Sequence, residues 1–223
     1  MIIAVDGPVA AGKGTLARRL AAALGYDYLD TGLLYRGVAF RVLAAGGDPG
    51  DGPAAAAAAA TLTADELGRP ELRGERVGEA ASQVAAQPAV RAALLAFQRG
   101  FACRPPGGRG AVLDGRDIGT VVCPGAAVKL FVTASEEARV QRRHRELLAR
   151  GQPAPLSEVR ADLRRRDQRD SQRAIAPLAP AAGAHLLDTT GMSIEAAFAA
   201  AMEIISAQLL TDERGSPDPS RRS

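Results

Sequence analysis

The chain has 223 residues, 47% of them hydrophobic and 24% charged, enough to bury one sizeable core with accessory segments. Net charge is only +3, yet the cations are nearly all arginine, with Lys13 and Lys129 the two lysines. An arginine bias suits planar, bidentate binding of phosphate or carboxylate, and a GC-rich genome would produce it too. Cys103 and Cys123 sit in no CxxC or Cys/His spacing, which excludes a disulfide framework and the usual zinc sites. No run of eighteen residues is apolar throughout, and no basic segment precedes MIIAVDG, so the expectation is a cytoplasmic protein.

In chain order, Ile2 to Val5 is a short unbroken apolar run, as in a strand buried on both faces of a parallel sheet. Leu16, Leu20 and Leu24 then recur every four positions until Gly25, which predicts a helix with a glycine stop. Further apolar runs at Tyr26 to Leu29, Ala111 to Leu113, Val128 to Val132 and His185 to Leu187 alternate with helical stretches. That alternation predicts a parallel α/β sheet with right-handed crossovers. Ser135 predicts a cap for a helix over 136–149, and Ser193 one for a helix from Ile194 towards Leu210. The polar stretch beyond Thr211 reads as disordered. Two segments look inserted: 41–88, with its alanine run 54–60, and the arginine-dense 150–173.

The string Gly7, Pro8, Val9, Ala10, Ala11, Gly12, Lys13, Gly14, Thr15 comes after the first strand and opens the first helix, where a P-loop must lie. Its backbone N–H groups and the helix N-terminus form a nest for an anion. Lys13 would reach the β- and γ-phosphates and Thr15 would serve Mg²⁺. The hydroxyl comes one residue later than in the general G-x-x-x-x-G-K-[ST] pattern, because Gly14 intervenes. A P-loop identifies a nucleotide and leaves the reaction open.

Four more motifs occur in order: LDTGLLYR (29–36), AASQVAAQPAVR (80–91), LDGRDIGTVV (113–122) and RRRDQRDSQRAIAPL (164–178). Together with the P-loop they resemble the bacterial cytidylate kinases from Met1 to about Leu210. The resemblance implies a three-layer α/β P-loop core (1–40, 89–149 and 174–210), an NMP-binding insert (41–88), a lid (150–173) and a disordered tail (211–223). It implies ATP with Mg²⁺ as donor, CMP or dCMP as acceptor, no nucleic-acid or membrane partner, and a monomer.

Carried over by residue, Lys13, Arg116 and Arg166 would be catalytic, and Arg164 and Arg165 would reach ATP from the lid. Asp30 and Thr31 would border the acceptor, and Arg36, Arg116 and Arg173 would hold its phosphate, neutralising a group that the γ-phosphate otherwise repels. Ser82, Arg91 and Asp117 would read the cytosine edge, a carboxylate facing the N4 amino group. Asp170 and Arg166 would meet the sugar, although their spacing also suits a surface i,i+4 ion pair. Asp114 would join Thr15 at Mg²⁺, or else cap a turn.

The family's longer insert is shortened between residues 60 and 80, leaving Arg73 as an accessory contact. Other readings are a kinase for UMP or AMP, and a nucleotide-dependent RNA-binding protein using 160–173. Against RNA stands the lack of tryptophan and the scarcity of stacking aromatics.

Overall fold

The computed structural model describes residues 1–215. Five strands, β1 (Ile2–Asp6), β2 (Asp27–Asp30), β3 (Ala111–Gly115), β4 (Val128–Thr133) and β5 (His185–Asp188), pair in parallel in the order β2-β3-β1-β4-β5. Each overlaps one of the apolar runs; the inner strands β1 and β3 are almost wholly buried, as strands covered on both faces should be, while the edge strand β5 buries only Leu187. Helices α1 (Lys13–Leu24) and α8 (Ile194–Gly215) pack Leu16, Leu20, Ala201 and Ile205 on Ile3, Val5, Val112 and Leu130. The opposite face, with Ala4 and Leu113, takes Ala102 of α5 (Pro88–Cys103), Ile118 and Val122. The result is the expected three-layer α/β core.

α2 (Thr31–Ala44), α3 (Gly52–Ala60), α4 (Glu75–Val84) and the start of α5 enclose a second cluster that includes Leu34, Val38, Ala55, Val77, Val84 and Leu94. The alanine run is α3, buried through Ala55 and Ala59. Between α3 and α4 lie two short 3₁₀ turns, Ala64–Gly68 and Pro70–Arg73. The expected boundary between residues 40 and 41 falls inside α2.

α6 (Glu136–Ala149) and α7 (Leu156–Ser171) join through Val140, Leu147, Val159 and Leu163. Ser135 Oγ accepts the Ala138 N–H at 3.3 Å, and Ser193 Oγ accepts that of Ala196 at 3.1 Å, so both expected caps form. α8 continues to Gly215, so residues 211–215 are helical rather than tail. No glycine or proline interrupts the helix before that point. The rest of the expected tail, 216–223, lies outside the described residues.

Candidate active site

The loop after β1 must pass under β4. A Cβ on Gly7 would stand 2.0 Å from the Val132 carbonyl oxygen, so only glycine fits. α1 then starts from Gly12 with no side-chain cap and no acidic residue in its first turn. Its leading N–H groups are left for an anion in the cleft. The loop is braced from behind: Arg139 Nη1 donates to Val9 O at 3.3 Å, Arg142 Nη1 to Ala11 O at 3.4 Å, and Thr189 Oγ1 to Ala11 O at 2.9 Å.

Lys13 Nζ lies 3.8 Å from Asp114 Oδ1, at the carboxyl end of β3. Burial pushes the Lys13 pKa down and the Asp114 pKa up, so each opposes the loss of its own solvation with the other's charge. Tyr28 Oη donates to Asp114 Oδ2 at 3.1 Å and fixes that carboxylate. A Cβ on Gly14 would fall 2.9 Å from the same Oδ2, which accounts for the glycine after the lysine. Thr15 is exposed at the cleft mouth.

From this loop a cleft of about 790 Å³ extends to α4 and α5. It lies outside the carboxyl ends of β1, β2 and β3, as expected for an open parallel sheet. Arg91 Nη2 and Asp117 Oδ2 form an ion pair with both side chains buried, and the Arg91 guanidinium stands 5.7 Å from the centre of the Tyr35 ring. Burial raises the Asp117 pKa, with Arg91 and Arg173 pulling the other way. Arg116 Nε donates to Asp170 Oδ2 at 2.8 Å, while Arg173 Nε donates to the Asp170 carbonyl at 3.3 Å. Arg36 Nη1 donates to the Leu72 and Gly74 carbonyls at 2.7 and 3.3 Å; burial, then Arg166 and Arg143, lower its pKa to about 10. Thr31 Oγ1 donates to Asp114 O at 2.8 Å, and Asp30 stands beside it at the start of α2.

Two buried polar atoms on this wall have no protein partner among the described residues: Ser82 Oγ and Arg173 Nη2. A cleft that leaves a hydroxyl and a guanidinium nitrogen unpaired fits a polar, anionic ligand.

The cleft thus gathers Val9 to Thr15, Asp30, Thr31, Arg36, Ser82, Arg91, Asp114, Arg116, Asp117, Arg166, Asp170 and Arg173, with Arg73. Gly7 and Pro8 shape the loop without lining the cleft. Arg164 and Arg165 are not brought to it either. Arg164 Nε and Nη2 bind Glu136 at 2.9 Å on α6, and Arg165 Nη2 lies 3.4 Å from Asp162. Helical pitch is the reason: Leu163, Arg166 and Asp170 share the buried face of α7, which turns residues 164 and 165 outward. Arg166 and Asp170 do not pair with each other, since Arg166 meets Glu75 and Asp162 and Asp170 meets Arg116.

Sequence reasoning passed over Arg139, Arg142 and Arg143 on α6, and Asp6. Arg139, Val140, Arg143 and Leu147 form a buried helical stripe with arginine at two apolar positions, a signal present in the sequence.

Among the described residues no helix is long and apolar enough to cross a membrane, and no group of three or more His, Cys, Asp or Glu side chains is arranged to hold a metal. A Thermus thermophilus crystal structure aligns over 94% of this chain and 97% of its own at 22% identity and TM-score 0.45, too loose a likeness to argue from. Proteins named cytidylate kinase are far nearer in sequence. That of Paramagnetospirillum magneticum is 59% identical over 93% of this chain and 98% of its own, and that of Granulibacter bethesdensis 59% identical over 92% and 96%. The family described as cytidylate kinase matches residues 3–207, and with the phosphate loop, arginine cluster and buried Arg91–Asp117 pair in one cleft, this chain belongs to that family.

Proposed function

We propose that the chain transfers the γ-phosphate of ATP to CMP or dCMP, giving ADP and CDP or dCDP. The observation that carries this reading is one cleft with an uncapped P-loop helix at one end and Arg91, Asp117 and the unpartnered Ser82 at the other. The uncapped N–H groups and Lys13 take the donor phosphates, whose negative charge opposes the burial that lowers the Lys13 pKa. Arg36, Arg116 and Arg173 take the acceptor phosphate. Asp117 accepts from the cytosine N4 amino group; uracil would leave that carboxylate facing a carbonyl.

The acceptor oxygen is ionised near pH 7, so no general base is required, and positioning with charge neutralisation supplies the rate. Mg²⁺, when bound, would supply charge neutralisation at the donor phosphates. The Thr15 hydroxyl and Asp114 carboxylate are hard oxygen donors that suit it.

In this reading Arg164 and Arg165 reach the donor only when α7 swings over the cleft, shutting out water as a competing acceptor. The arginines of α7 are matched by Glu79, Glu136, Glu137 and Asp162, which leaves little free charge for a nucleic-acid backbone and supports small-molecule substrates. The reading takes the protein to be a monomer in the cytoplasm.

Coupled ADP release with ATP, Mg²⁺ and each of CMP, dCMP, UMP and AMP, beside a control without acceptor, tests the reading. Turnover confined to CMP and dCMP is expected. Equal use of UMP would remove Asp117 and Arg91 from base recognition.

A further inference from the structure

Asp117 stands at the N-cap position of a five-residue π-type turn, Ile118–Val122, and its carbonyl accepts the Val121 and Val122 N–H groups at 2.9 and 3.1 Å. An aspartate there ordinarily turns its carboxylate back onto the first free N–H groups of the turn. Asp117 does not; its carboxylate goes to Arg91. A second acid takes over the capping. Asp6, the last residue of β1, accepts the Ile118 N–H on Oδ1 and the Gly119 N–H on Oδ2, both at 2.8 Å.

Asp6 is 4% exposed and lies opposite Gly115 in the sheet, so it reaches the turn from within the core. Gly119 lets the turn pack against its other neighbours too, for a Cβ there would stand 3.1 Å from Ala181 Cβ and 3.3 Å from Lys129 Cδ. Burying a carboxylate beside Asp117 and Asp114 is costly, and the bidentate contact with two backbone donors offsets part of that cost.

We propose that Asp6 is a positioning residue for acceptor recognition: by capping the 118–122 turn from β1, it keeps the Asp117 carboxylate off its own turn and on Arg91. The proposal rests on the reading of Asp117 as the cytosine reader. Asp6 also adjoins Gly7, so a merely structural role would disturb the phosphate loop first.

Asp6→Asn replaces one accepting oxygen with a donor, leaves one N–H of the turn unpaired, and invites Asp117 to cap itself. The expected result is a KM for CMP raised about tenfold, with the KM for ATP within about twofold. In an Asp117→Asn background, the same change should add little. Amide exchange should quicken over 116–122 and stay unchanged over 7–15. An ATP KM that rises with that of CMP, additive effects, or unaltered exchange over 116–122 would each overturn the proposal. Should the variant not fold, NMR of the wild-type protein decides, since the Ile118 and Gly119 amide shifts must track the Asp6 titration, and shifts that do not would refute the cap. If the wild type fails to use CMP, the substrate reading falls while amide exchange still judges the cap.

Discussion

The Arg91 guanidinium and the Asp117 carboxylate meet across the gap between α5 and the 118–122 turn, each the other's main charged partner in a buried setting. Removing one leaves the other uncompensated, at about 3–5 kcal/mol of stability. Asp117→Asn and Arg91→Ala are therefore expected to lower the urea midpoint and to cut kcat/KM for CMP about a hundredfold. A double variant, Arg91→Leu with Asp117→Asn, should be more stable than either single one. Urea titrations beside the acceptor panel measure both effects.

Arg173 is buried with one nitrogen unpaired, and burial lowers its pKa against the pull of Asp170 and Asp117, so an acceptor phosphate would pair with the free nitrogen. Arg173→Ala should raise the KM for CMP by about tenfold or more while the ATP KM changes little. Steady-state kinetics with each substrate varied in turn provides the check, and unchanged CMP kinetics would take Arg173 out of the acceptor site.

Gly14 faces Asp114 Oδ2 at a distance that admits no methyl group, and Tyr28 and Lys13 leave that carboxylate little room to retreat. Gly14→Ala should raise the ATP KM about tenfold through a displaced Asp114 or Lys13. Nucleotide titration by calorimetry would read the loss directly.

For Arg164 to reach donor phosphates it must leave Glu136, which also holds Arg160 at 2.8 Å. These pairs are exposed and individually weak. Glu136→Gln should ease closure of α7 and lower the ATP KM by about two- to threefold, with the acceptor KM unmoved. A raised ATP KM would show instead that Glu136 holds α7 in its working position.

Burial pushes the Asp6 carboxyl up from 3.8 to about 6, outweighing the Gly119 and Ile118 N–H groups that pull it down. An acid whose folded value is raised holds its proton more tightly when folded, so it subtracts stability as pH rises from about 4 to 6, and the penalty is complete above that. The interval corresponds to about 3 kcal/mol. The stability of the wild type relative to Asp6→Asn is expected to fall by up to that amount between pH 4 and pH 7. Urea denaturation of both proteins at several pH values measures it, and a flat difference would place the Asp6 titration elsewhere.

Much of this site was legible because its parts are written locally. The β1 run, Gly7, Lys13 and the glycine stop at Gly25 each constrain neighbours within a few residues, and the strands emerged from apolar runs alone. The features that escaped depend on side chains meeting across distant segments. Nothing near Asp6 announces that its carboxylate will cap a turn 112 positions away. Arg142, off the apolar stripe of α6, looks like a solvent-facing helix charge until the Ala11 carbonyl lies against it. That Arg164 and Arg165 face Glu136 and Asp162, away from the cleft that Arg166 lines, follows from the way a helix distributes three consecutive residues around its circumference.

The buried residues that hold α2 to α5 together are a different set from those packed on the sheet. Two cores thus serve two substrates, and a change of length between α3 and α4 is absorbed within its own half. Such a change would therefore repack the α2 to α5 cluster and leave the residues beneath the phosphate loop in place.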